Sequence, residues 1–171
     1  MDIGCYPISM SRFMLESEPT RVCALTDYDP DFGTDRLASV LMDFPAAQAN
    51  FTCSMQLVSY QRMNIFGSKG RLEVLIPWNT PPDRPSRIVV DIGGDFLGTG
   101  QRVEEVPAAN QYTLQAERFA AAVNEKTDLP VELEESVRNM AVIEAVIQSG
   151  QAGGWESVGM GTQLWPKSHN N

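Results

Sequence analysis

The hydrophobic period of this chain changes twice, and that constrains its fold more than any other feature. Over residues 8–16 the apolar positions follow a helix: Met10, Phe13 and Met14 fall at i, i+3 and i+4, with Ile8 and Leu15 at i, i+7. The period then drops to two. TRVCALTDY (20–28) is rich in β formers and runs into the turn-prone YDPDFGTD, and DRLASVLMDF (35–44) is a second strand closed by Pro45. NFTCSMQLV (50–58) alternates, with Phe51, Cys53, Met55 and Leu57 opposite Asn50, Thr52, Ser54 and Gln56. QRMNIFGSKGRLEVLI (61–76) reads as a hairpin turning at Gly67-Ser68-Lys69-Gly70. A proline-dense loop (77–85), a strand RIVVDI (87–92), a glycine-rich loop GGDFLGTG (93–100) and an edge strand QRVEEV (101–106) follow.

Helical spacing returns at 112–126, where Leu114, Ala122 and Val123 accompany Phe119. It continues at 133–150, where Val137, Met140, Ile143 and Ile147 form a stripe and Gly150 caps the end. Elements in runs, helix then strands then helices, specify an α+β fold. The expected form is a mixed, mostly antiparallel open sheet of about six strands with helices on one face.

The 171 residues suffice for one domain with its own core. Thirteen basic against 22 acidic residues give a net charge of −9, which excludes nucleic acid and argues against an anionic membrane surface as partner. No stretch has the length of a membrane span, and the start MDIGCYPISM lacks the pattern of a signal peptide. Cys5, Cys23 and Cys53 are unpatterned and His169 is the only histidine, so no metal site is expected. Unpaired cysteines of this kind suit a reducing compartment, and a cytoplasmic location is expected.

Few motifs carry chemistry. GGDFLGTG follows a strand, but it is neither GxGxxG nor followed by a helix, so a plain loop is expected there. Trp78, Trp155 and Trp165 are of a type that stacks on sugar rings, although loop tryptophans more often pack on their own domain. The remaining candidates are Asp2 and Tyr6. Extending the first helical stripe backwards reaches Tyr6 and then Asp2, with Pro7 tolerated only near a helix start. Tyr6 is then either a core tyrosine with Asp2 as a cap, or one half of a carboxylate–phenol pair that clasps a hydroxylated substrate and relays a proton. Spacing alone leaves both readings open.

Several segments together resemble the C-terminal domain of the Gfo/Idh/MocA family of NAD(P)-dependent oxidoreductases, in its sugar and dihydrodiol dehydrogenase subgroup. MDIGCYP is similar to the family's D-x-G-x-[YH] signature. FTCSMQ with QRMNIFGSKGRLEVLIPWN resembles its strand, hairpin and proline segment, and NQYTLQAERFAAAV with SVRNMAVIEAVIQSG resembles its closing helices. The likeness extends over nearly the whole chain in the family's order.

The resemblance implies that Asp2 binds substrate and that Tyr6 lies beside the reacting hydroxyl carbon as the catalytic residue. It implies NAD or NADP in the full-length protein, a sugar-like small-molecule substrate, and a homodimer or larger through the open sheet face. The family's Rossmann domain and its lysine are not matched here, since Lys69, Lys126 and Lys167 stand in other contexts. The chain is therefore expected to be a truncated or split part lacking that domain, inactive and without bound cofactor when alone. Residues 1–165 are expected to form the substrate-binding and oligomerisation domain, with 166–171 a disordered tail. A stand-alone scaffolding or ligand-binding module is the alternative.

Overall fold

The computed structural model describes residues 1–159 except 94, 126 and 130, so the expected tail at 166–171, Trp165, His169, Lys126 and Lys167 lie outside the described residues. Among those described, the order is α1 (Cys5–Leu15), β1 (Arg21–Tyr28), β2 (Asp35–Phe44), β3 (Ala47–Ser54), β4 (Met63–Gly67), β5 (Gly70–Val74), β6 (Ser86–Asp91), β7 (Gln101–Val106), α2 (Gln111–Glu125), α3 (Leu133–Ala152) and β8 (Trp155–Ser157). The α+β class holds. All pairings are antiparallel, and the strands divide between two four-stranded sheets, β3-β2-β1-β8 and β4-β5-β6-β7, in place of one sheet of about six. The chain forms two compact units, Met1–Leu57 with Val131–Asn171, and Val58–Pro130.

The division begins at Ser54. Its hydroxyl donates to the Arg36 carbonyl and accepts the Gln56 N–H at 3.0 Å, which turns the chain out of the ladder. The alternation in sequence runs on past this point, but Met55 and Leu57 are exposed and extend no strand.

In the first unit, α1 and α3 cover one face of the sheet. Ile8, Val22, Ala24, Val40, Met42, Phe44, Val142, Ile143, Ala145 and Val146 form the core, each large side chain contributing about 1.5–3 kcal/mol by leaving water. Pairing at two-residue period places Val22 and Ala24 inward and Cys23 and Leu25 on the opposite, open face. Gly150 does not cap α3. It faces β1, where an added Cβ would stand 2.5 Å from Thr26 Oγ1, and Gly153 ends the helix at φ 72°. Ser149, fully buried, accepts the Ala24 N–H at 2.8 Å and donates to the Gly154 carbonyl, so the end of α3 is tied to β1 beside β8.

Helix faces depart from the expected stripes. α1 starts at Cys5 and holds Pro7 in its first turn, where a missing N–H is harmless. It buries Ile8 and Arg12, while Phe13 and Met14 face outward. α3 buries Val142, Ile143, Ala145, Val146 and Ser149, so of its expected stripe Ile143 is buried while Val137, Met140 and Ile147 are exposed. Of the α2 stripe only Ala122 is buried.

The second unit holds α2 and a sheet built on the hairpin β4–β5, turning at Ser68-Lys69 as expected, extended by β6 and the edge strand β7. Arg62 pairs with Glu73 at 3.2 Å and Arg71 with Asp91 at 3.2 Å.

Candidate functional site

Asp2 lies in the turn that leads into α1, and Gly4 is the N-cap residue with no side-chain cap bond. Asp2 therefore does not cap the helix. Tyr6 is 51% exposed and is not a core tyrosine. Both side chains stand at the outer surface of the same helix start, where the amide ends of the first turn favour a carboxylate. An exposed carboxylate accepts hydrogen bonds from hydroxyls, and a phenol both donates and accepts, so the pair has the groups needed to hold an alcohol or polyol.

Three features fix where that helix start sits. Gly4 is buried, and an added Cβ there would meet the end of the Met1 side chain and stand 3.3 Å from Cys53 Sγ. The Cys5 carbonyl accepts the Asn139 amide from α3 at 3.3 Å. One turn on from Ile8, Arg12 is 5% exposed. Its guanidinium grips Glu18 through Nε and a terminal nitrogen at 2.6 Å each, and Glu135 of α3 at 2.9 Å. Arg138 closes the group by pairing with Glu18 at 3.3 Å and with Glu135. Sequence reasoning did not single out Gly4, Arg12 or Asn139. A signal existed for Arg12, which follows Ile8 by four residues and so shares its face.

Asp2 also acts on its neighbour. Burial, and then the Asp2 charge, push the Cys5 thiol above its ordinary pKa. The Cys5 Sγ donates to the Asp2 carbonyl at 3.0 Å.

The glycine-rich loop is filled by its own carboxylates. Asp91 accepts the Gly93 N–H at 3.0 Å, and Asp95 accepts those of Leu97 at 2.8 Å and Thr99 at 3.3 Å. Three of the loop's amides, those of Gly93, Leu97 and Thr99, are thus taken by its own carboxylates. The loop also links two antiparallel neighbours, β6 and β7, rather than a strand and a helix. Among the tryptophans, Trp155 lies under the Arg21 guanidinium at 4.5 Å on the open face of the first sheet, and Trp78 is half-buried in the proline-dense loop. No group of three or more His, Cys, Asp or Glu arranged for a metal exists among the described residues, and none of their helices is long and apolar enough to cross a membrane.

Residues 1–73 match the model of the GFO/IDH/MocA C-terminal domain. The chain is 41% identical over 158 residues to an uncharacterised oxidoreductase of Rhizobium meliloti, covering 92% of this chain and 47% of that protein. It is 30% identical over 154 residues to a D-xylose 1-dehydrogenase (NADP(+)) of Haloferax volcanii, covering 90% and 46%. The fold matches aldose-aldose oxidoreductase of Caulobacter crescentus, solved with glycerol, at a TM-score of 0.74 and 20% identity, covering 90% and 45%. The chain thus spans about half the length of the curated relatives it matches.

Proposed function

We propose that this chain, a member of the GFO/IDH/MocA family through its C-terminal domain, is the substrate-binding and oligomerisation part of an NAD(P)-dependent oxidoreductase acting on a sugar, polyol or dihydrodiol. The observation that carries this reading is the outward placement of Asp2 and Tyr6 together at the start of α1, while Gly4 and Arg12 of the same segment are buried. Asp2 orients the substrate by accepting from its hydroxyls. Tyr6 hydrogen-bonds the reacting oxygen and moves its proton. The xylose dehydrogenase among the relatives supports a sugar-like substrate.

In the glycine-rich loop the Gly93, Leu97 and Thr99 amides are taken by Asp91 and Asp95, which argues against that loop as a dinucleotide cradle. The nicotinamide cofactor, which accepts or supplies the hydride, is therefore assigned to residues beyond this chain, and the chain alone is expected to be inactive. The open sheet face, with Leu25, Leu41 and Trp155 exposed, is the surface proposed to join copies into a homodimer. We place the protein in the cytoplasm on its three unpaired cysteines.

The test is a fusion of this chain behind the half of the Rhizobium meliloti relative that it does not match. Sugar- or polyol-dependent formation of NADH or NADPH is expected. Tyr6→Phe should lower kcat on the order of 10²-fold, and Asp2→Asn should act mainly on KM. Turnover indifferent to both substitutions, or turnover by the chain alone, overturns the reading.

A further inference from the structure

β7 is the last strand of the second sheet, and all six of its residues are exposed. Its backbone polarity follows from the register of its neighbours. The Leu75 N–H donates to the Arg87 carbonyl at 3.2 Å, in line with the pairing of Val74 with Ile88. Opposite residues in an antiparallel ladder either exchange bonds or make none, so Arg87, Val89 and Asp91 turn their backbone groups toward β5. Ser86, Ile88 and Val90 turn toward β7, where they meet Val106, Glu104 and Arg102. Gln101, Val103 and Glu105 consequently point their N–H and C=O groups away from the sheet. The Gln101 N–H is taken by Gly98 at 3.1 Å. The groups of Val103 and Glu105 line an edge beyond which no described strand lies.

Edges of this kind are usually blunted by like charges that repel a second strand. Here the charges are arranged otherwise. Arg102 and Glu104 stand on one face on either side of Val103, and they pair with each other at 2.9 Å, both well exposed. Glu105, on the other face, is matched by Arg87 at 3.0 Å.

We propose that β7 pairs antiparallel with β7 of a second copy of this chain about a two-fold axis at Val103. In that register Val103 faces Val103, and Arg102 of each copy faces Glu104 of the other. Val103 also exchanges backbone bonds across the axis, since its polar groups point outward. The Arg102 and Glu104 positions then form the closer, non-bonded pairs, where cross-strand charges interact best. Sliding by two residues in either direction sets Arg102 against Arg102 or Glu104 against Glu104. Sliding by one puts opposite faces together. The sequence QRVEEV thus admits one register. This contact uses a sheet edge and is independent of the open-face dimer and of the oxidoreductase reading. Six residues a side bury less than the roughly 1,200 Å² of a stable dimer, so the pairing is weak by itself and is best detected by trapping.

The test places cysteine at the axis. Opposite bonded residues lie about 5.5 Å apart at Cα, within disulfide range. Val103→Cys, incubated with glutathione disulfide, should form a covalent dimer at least tenfold faster than Leu97→Cys, an exposed control, with the unsubstituted chain reporting any contribution of its own cysteines. Adding Arg102→Glu or Glu104→Arg to Val103→Cys should return the rate to that of the control. Mixing those two chains should restore it, as a mixed dimer identified by mass. Circular dichroism verifies that each variant folds. Equal rates at 103 and 97, linking unaffected by either charge change, or no rescue on mixing would each overturn the proposal.

Discussion

Replacing Arg12 by methionine tests the clamp that holds the candidate site. Methionine retains most of the packed stem and deletes the guanidinium. Three short charge-assisted bonds disappear, two to Glu18 at 2.6 Å and one to Glu135 at 2.9 Å. Removing one partner of a fully buried ion pair costs about 3–5 kcal/mol. Here the Glu18 and Glu135 side chains are 30% and 43% exposed and keep Arg138, so water and that arginine compensate part of the loss. The expected destabilisation of the first unit is then about 2–3 kcal/mol. With a denaturant slope of about 1.5 kcal/mol/M, the urea midpoint followed by far-ultraviolet circular dichroism should fall by roughly 1–2 M. Arg12→Lys should recover less than half of this, because an ammonium cannot fork between two carboxylates. A loss below about 0.5 kcal/mol for Arg12→Met, or full recovery with lysine, would refute the reasoning.

Gly150→Ala should destabilise the first unit despite alanine's better helix propensity, because its Cβ would stand 2.5 Å from Thr26 Oγ1; adding Thr26→Ala should reverse the sign in thermal unfolding. The Asp91 carboxyl is held below the usual carboxylate range, first by the Gly93 N–H and then by Gln101 and Arg71, with burial acting the other way. A depressed folded value contributes stability above the unfolded pKa of about 3.9 and loses it as pH falls through the folded one. The advantage of the native chain over Asp91→Asn in melting temperature should therefore shrink on acidification below about pH 4, and a constant difference from pH 7 to pH 3 would count against this account. Leu25→Glu, on the open face of the first sheet, should shift light-scattering mass toward the monomer with circular dichroism unchanged; an unaltered mass would remove that face as the dimer contact.

The strands were legible because period two survives in single residues. The expected bounds of β1, β2 and β7 match to within a residue, and Gly67–Gly70 marks the hairpin. The division into two sheets was not legible, since the break depends on Ser54 bonding to Arg36 of the neighbouring strand, a contact between residues 18 apart. Helix faces were misjudged for a related reason. In α1 the apolar stripe Met10, Phe13 and Met14 gives one face by hydropathy alone, yet the buried face carries Arg12, whose charge is met by Glu18 just past the helix and by Glu135 from the far end of the sequence. β8 was missed because three residues carry too little pattern, and Trp155–Ser157 is a strand only by pairing with Arg21–Cys23. The sequence singles out Asp2 and Tyr6 as candidates and the structure leaves both exposed, while the buried Gly4 between them and Asn139 on α3 needed the packing to be seen.

The pairing of β8 with β1 has a consequence during synthesis. Cys23 leaves the ribosome long before Trp155, the residue it lies opposite, and the whole of Val58–Pro130 is made in between. At about 5–20 residues per second that interval is on the order of 7–25 s. The inserted unit, whose strands are all close in sequence, has time to form first, while the earlier strands wait with an unpaired edge and an uncovered apolar face. A nascent chain halted before Ser149 should therefore protect the inserted hairpins from protease and leave Arg21–Phe44 open to cleavage.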